Sequence, residues 1–211
     1  MKADLYLISV FVLAVFVSVL SLVFHLKKYK SELLLAIKPD ITNEQMKEFE
    51  KRVSTFLIEN HIEPGAQISS IGKALNIREG EIGAPILGQA HLSAPNEDGT
   101  MVVTFRKGLS QQERKFAFAH ECGHIINKDE LPIDRPDGQH KPYIEQAADY
   151  VAAALLMPID DVYLYLSETN YQDVSPRERV KLTQKLCKIY GVDKFIVLRR
   201  IKEVYALKEL T

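Results

Sequence analysis

His120-Glu121-Cys122-Gly123-His124 carries two imidazoles four residues apart, with a carboxylate directly after the first. On a helix this spacing puts both rings on one face, one turn apart. Two imidazoles so placed can reach a single Zn²⁺, and Glu121 is set to act as general base on an attacking water. A catalytic zinc takes a third protein ligand and keeps its fourth position open. Glu145 and Asp149, also four apart, are the carboxylates of a run that is otherwise almost wholly apolar. The residues point to Glu145 as the third metal ligand. Asp149 is expected to accept a hydrogen bond from the far nitrogen of His120, fixing the tautomer and orientation of that ring. The bland alternatives are a core helix with two satisfied histidines and a pair of surface carboxylates. Against the second, a carboxylate in an Ala/Leu-rich helix is costly unless it is paired or bound to metal.

Other ligand sets fit worse. An H-E-x-x-H-x-x-G-x-x-H site requires a glycine and a third histidine where this chain has Asn127 and Glu130. His140, Asp134 and Asp137 fall in a polar loop, and such loops are usually solvated. Cys122 lies two residues from each histidine, so it points away from them and reads as core packing.

The elements that must position these groups are legible around them. Ser110-Gln111-Gln112-Glu113 is an S-x-x-E capping box that starts a helix running to Asn127. Gly123 is a poor helix former, but a small residue beside the histidines lets another element come close. A second helix covers Tyr143 to Met157 and is stopped by Pro158. Upstream, Thr42 to Gln45 is another capping box, followed by Met46, Phe49, Val53, Phe56 and Leu57 at helical spacing. Ile68, Ile71 and Leu75 suggest a short second helix. Residues 86–106 read as a β-hairpin about the turn Asn96-Glu97-Asp98-Gly99, whose edge can hold an extended peptide. The Lys128–Pro142 loop reads as a connection rather than a lid. Arg135, His140 and Tyr143 are near enough in sequence to stabilise a transition state, and nothing chooses among them. After Pro158 come helical runs around Asp160–Leu166 and Pro176–Leu207, the second split by a turn at Gly191. Their excess of Lys and Arg, counting Arg199 and Arg200, reads as a solvated basic face drawn to an anionic bilayer surface, ahead of a DNA-reading helix-turn-helix.

The stretch Lys115 to His124 resembles the R-x-x-x-A-H-E-x-G-H signature of the ImmA/IrrE metallopeptidases. Glu145 to Pro158 is similar to that family's E-x-x-A-N-x-F-A-x-x-L-L-M-P segment. The resemblance extends over roughly residues 45 to 205. It implies a mostly helical α+β, zincin-like domain with one Zn²⁺ on His120, His124 and Glu145, and with Glu121 catalytic. Lys115, Asp149 and Val151 stand where the family often has Arg, Asn and Phe, and Cys122 replaces a commoner apolar residue; none of these removes a ligand or the base. The resemblance implies a protein substrate, a specific regulator, often a helix-turn-helix repressor. Membrane-embedded gluzincins share H-E-x-x-H followed by E-x-x-A-D. They usually have several spans, and the Leu-Leu-Met-Pro ending favours the first family.

Leu5 to Leu26 contains no Asp, Glu, Lys or Arg. As a helix it would be about 33 Å long, enough to cross a bilayer core. Lys27, Lys28 and Lys30 follow it, so the positive-inside rule turns the rest of the chain to the cytoplasm. The expected organisation is a short extracytoplasmic N-terminus (1–4), a transmembrane helix (5–26), a juxtamembrane linker (27–40), a metallopeptidase core (41–158) and a C-terminal helical part of the same domain (159–211). The two cysteines form no disulfide framework, and a formal charge of −1 predicts no general affinity for nucleic acid. The whole reads as a membrane-anchored zinc endopeptidase. Two alternatives stay open: a zinc-stabilised protein-binding module, and a membrane-tethered transcription regulator.

Overall fold

The computed structural model describes residues 41–82, 89–129 and 142–208. The expected membrane segment and linker lie outside these residues, as do Asp134, Arg135, Asp137 and His140 of the loop. Among the described residues no single helix is long and apolar enough to cross a membrane.

Helix α1 (Asn43–Glu59) begins where Thr42 and Gln45 exchange side-chain and backbone hydrogen bonds, so the capping box is formed. A short α2 (Ile68–Ala74) leads into β1 (Ile77–Ile82). Strands β2 (Ala90–Leu92) and β3 (Met101–Phe105) are antiparallel and form the expected hairpin, shorter than its 86–106 span. Gly99, at φ 77°, makes the turn, and its N–H donates to Asn96 O at 2.9 Å. The sheet order is β1-β3-β2, with β1 parallel to β3. β1 was not foreseen. Its Ile-Arg-Glu-Gly-Glu-Ile run has too few apolar residues to announce a strand, and it is recruited by tertiary pairing with β3.

Met101, Val103 and Phe105 turn one buried face of β3 into a core shared with Phe49 and Val53 of α1 and Phe118 of α3 (Gln111–Asn127). Ser110 and Glu113 cap α3 reciprocally. Helix α4 (Pro142–Leu156) lies against α3, and its alanines explain how closely. A Cβ placed on Gly123 would stand 2.7 Å from the Ala148 carbonyl oxygen and 3.2 Å from its Cα, so the two backbones almost touch. The other face of α4 meets α5 (Ile159–Glu168), α6 (Pro176–Tyr190) and α7 (Lys194–Lys208) in a second apolar cluster around Val162, Leu186 and Val197.

The C-terminal basic residues need a correction. Arg200 is fully buried, so it belongs to no solvated face, and half-buried Arg199 is committed to ion pairs with Asp149 and Glu203. Arg200 donates to Glu50 at 2.7 Å and to Met157 O at 2.9 Å, joining α1, the end of α4 and α7. Arg179 caps the 171–174 backbone, and Lys181 pairs with Glu178. What was counted as one basic surface is in part internal wiring, and the sequence run does not separate the two uses.

Gly123→Ala is expected to lower stability by about 1–3 kcal/mol, because the obstacle is the Ala148 backbone rather than a flexible side chain, and the gain in helix propensity offsets only part of it. Urea unfolding would measure this, and a variant as stable as the parent would show that α3 and α4 can separate at no cost.

Candidate metal centre

The face of α3 that carries His120 and His124 looks onto the face of α4 that carries Glu145 and Asp149. The two rings are nearly perpendicular, with centroids 4.6 Å apart. His120 Nε2 lies 3.0 Å from His124 Nε2 and 3.2 Å from Glu145 Oε2, and His124 Nε2 lies 3.9 Å from the same oxygen. Ligands about 2.0–2.1 Å from a tetrahedral ion stand about 3.3 Å from one another, which these three distances bracket.

The far nitrogens explain why the near ones converge. His120 Nδ1 donates to Asp149 Oδ1 at 2.8 Å, and His124 Nδ1 donates to Asp129 Oδ2 at 2.9 Å. With both rings neutral and both Nδ1 atoms acting as donors, each Nε2 is left with a lone pair facing the other across 3.0 Å, beside a carboxylate. Three electron-rich atoms meeting at one point repel unless a cation sits among them. His120, His124 and Glu145 therefore form a donor set that can hold a metal ion. His124 is buried, His120 and Glu145 are half-buried, so one side is open.

Two contributors were missed in the sequence. Asp129 follows Lys128, which takes the left-handed conformation at φ 61° and ends α3. The reversal lets Asp129 N–H donate to His124 O at 3.0 Å while its carboxylate turns back onto the ring. Its only sequence signal is a carboxylate just beyond the last helical turn. Arg199, fifty residues from Asp149, donates to Asp149 Oδ2 at 2.9 Å and carries no local signal at all. Tyr143 is exposed and accepts a hydrogen bond from Gln45 Nε2 at 3.1 Å, which ties it to the start of α1. Cys122 is completely buried, and burial pushes its thiol well above the usual range, so it packs and does not react.

Glu121 is buried at 8% exposure beside the two rings. Burial raises its carboxyl above the ordinary range, His120 and His124 pull it down, Glu145 adds to the rise, and His91 on β2 lowers it. Burial works against the charged form of His120, but hydrogen bonds to Asp149 and Glu145 and the nearby charges win and raise it to about 10. Burial also works against Asp149, but its contacts with His120 and Arg199 win and hold it below the usual carboxylate range.

The folded value of His120 lies above the ordinary 6.5, so in the metal-free chain the imidazolium contributes stability in full below pH 6.5, and that contribution is lost as pH rises through about 10. A metal ion entering this donor set at neutral pH would have to displace this proton. At pH 7, calorimetry in buffers of different ionisation heat should show about one proton released per zinc bound. A binding heat independent of the buffer would mean that His120 is already neutral.

Residues 84–202 match the family Peptidase_M78, described as the IrrE N-terminal-like domain. No curated protein matches the chain. Among solved structures, a Mycobacterium tuberculosis transcriptional regulator shares the fold, with a TM-score of 0.50 at 14% identity. The match covers 81% of this chain and 50% of the regulator's, so this chain spans about half the length of that relative.

Proposed function

The chain belongs to the Peptidase_M78 family of IrrE N-terminal-like domains, and from that premise we propose that it is a zinc-dependent endopeptidase. The observation that carries the reading is the convergence of His120 Nε2, His124 Nε2 and Glu145 Oε2 with the carboxyl of Glu121 buried beside them. His120, His124 and Glu145 would hold the ion, and zinc bound there supplies a Lewis acid for the scissile carbonyl and lowers the pKa of water. Glu121 takes the proton of the attacking water and passes it to the leaving amine. A carboxyl raised by burial suits that two-way transfer, because it holds a proton better than an exposed glutamate does. A structural zinc site has no use for such a base and usually closes its fourth position with Cys or His, which weighs against a binding module.

The sheet edge supports a peptide substrate. Ser93 N donates to Val102 O and Arg106 N to Gln89 O, so by antiparallel alternation His91 is the β2 residue that bonds to β3. The peptide groups of Ala90 and Leu92 then point away from β3, towards the side where an extended chain would add. His91 on the same strand lies close enough to Glu121 to bias it, which brings this edge near the chemistry.

The substrate we propose is a specific cytoplasmic regulator, a helix-turn-helix repressor, as the family resemblance of the two motifs implies. Residues 5–26 anchor the chain to the membrane in this reading, with the lysines at 27, 28 and 30 keeping the peptidase on the cytoplasmic side. Cleavage would then be confined to the membrane surface.

Glu121→Gln is expected to cut turnover by about 100-fold or more while leaving zinc binding intact. A census of new protein N-termini in the native host, comparing the wild-type chain with this variant at equal expression, unstressed and stressed, would name the substrate. Termini present only with the wild type support the peptidase, whereas identical sets in every condition would favour a zinc-stabilised binding module.

A further inference from the structure

Glu145 and Asp149 pose a question of chemistry. Both are carboxylates on one face of α4, one turn apart, and both touch His120: Glu145 at Nε2 at 3.2 Å and Asp149 at Nδ1 at 2.8 Å. Either type of side chain can ligate zinc. What separates them is the second oxygen of Asp149. Arg199 holds Asp149 Oδ2 through Nη1 at 2.9 Å and, through Nη2, reaches Gln146 O at 3.3 Å on the same helix. Its Nε donates to Glu203 Oε1 at 2.9 Å. Glu203 is buried at 4% exposure and also faces Arg200, which is anchored on Glu50. The guanidinium is thus clamped from its own helix and cannot follow Asp149 if that carboxylate turns. A planar fork fixed on three acceptors gives direction as well as charge, which a lysine would not.

We infer that Arg199 is a positioning residue for the metal centre: it pins Asp149 in the role of orienting His120 and keeps that carboxylate from swinging into the metal position beside Glu145. The inference rests on the reading of His120 as a metal ligand. It makes the C-terminal helix α7 part of the site, although none of its side chains would touch the ion. Partners that orient a metal-bound histidine typically change metal affinity 10–100-fold when removed.

The test uses the full chain and zinc affinity from chelator competition, with Co²⁺ as a spectroscopic substitute. Arg199→Met should weaken zinc binding about 10-fold or more, and the Co²⁺ absorption should shift towards higher coordination as Asp149 gains access to the ion. The double variant Arg199→Met with Asp149→Asn should bind zinc no more weakly than Asp149→Asn alone, because Arg199 acts through Asp149. Arg199→Lys, which keeps the charge and the fold but loses the fork, should fall between the parent and Arg199→Met, and it serves alone if Arg199→Met does not fold. Parent-like zinc affinity in both Arg199 variants, or losses that simply add in the double variant, would overturn the inference. A wild-type chain that takes up no metal overturns the metal-site reading itself and this inference with it.

Discussion

The near contact of two helix backbones at Gly123 and Ala148 is the constraint on which the site depends. Histidine side chains are short, and two of them on α3 meet a glutamate on α4 only if the helices approach more closely than bulky residues allow. The glycine supplies that approach from one side and the run of buried alanines from the other. The motif's glycine is therefore a distance setting. Its poor helix propensity is tolerated because caps at Ser110 and Lys128 and burial on both faces stabilise α3.

The parts of this arrangement that could be read from the chain are those in which cause and consequence lie within a few residues. Capping boxes at Thr42 and Ser110 depend on a side chain three positions away, and the pairing of His120 with His124 and of Glu145 with Asp149 depends only on helical pitch. That Asp149 should meet His120, with Glu145 beside it, was inferable because carboxylates in an apolar helix require partners. β1, Asp129 and Arg199 were not legible, for different reasons. β1 is a strand because β3 lies beside it, not because of its own composition. Asp129 turns back only because Lys128, directly after the last helical residue, adopts a left-handed conformation that a lysine does not announce. Arg199 looks like its basic neighbours until the fold pairs it with Asp149 and Glu203.

Burying Arg200 and Glu203, with Arg199 and Glu50 half-buried beside them, costs desolvation that apolar residues would avoid. Such a network contributes direction more than stability. The bonds of Arg199 to Asp149 and Glu203 and of Arg200 to Glu50 and Met157 O each name one partner, so they set how α7 meets α4, and Asp149 shares that setting through Arg199. An apolar interface of the same volume could slide by fractions of a turn and still stay buried. The ionic one loses a charge-assisted hydrogen bond for every such slip.

The two aspartates on the outer nitrogens complete the same logic at the centre. An isolated imidazole can carry its proton on either nitrogen, and a ring in the wrong tautomer offers the metal no lone pair. Asp149 reaches in from the neighbouring helix and Asp129 from just beyond the end of α3. Each draws a proton to Nδ1 and so commits Nε2 to the shared point. Without a metal, that commitment leaves lone pairs in opposition, and the strain is relieved by a proton on His120, held to about 10. Proton and metal would thus compete for one position that the fold has made electron-rich, where a divalent ion would bring twice the charge and could engage all three donors.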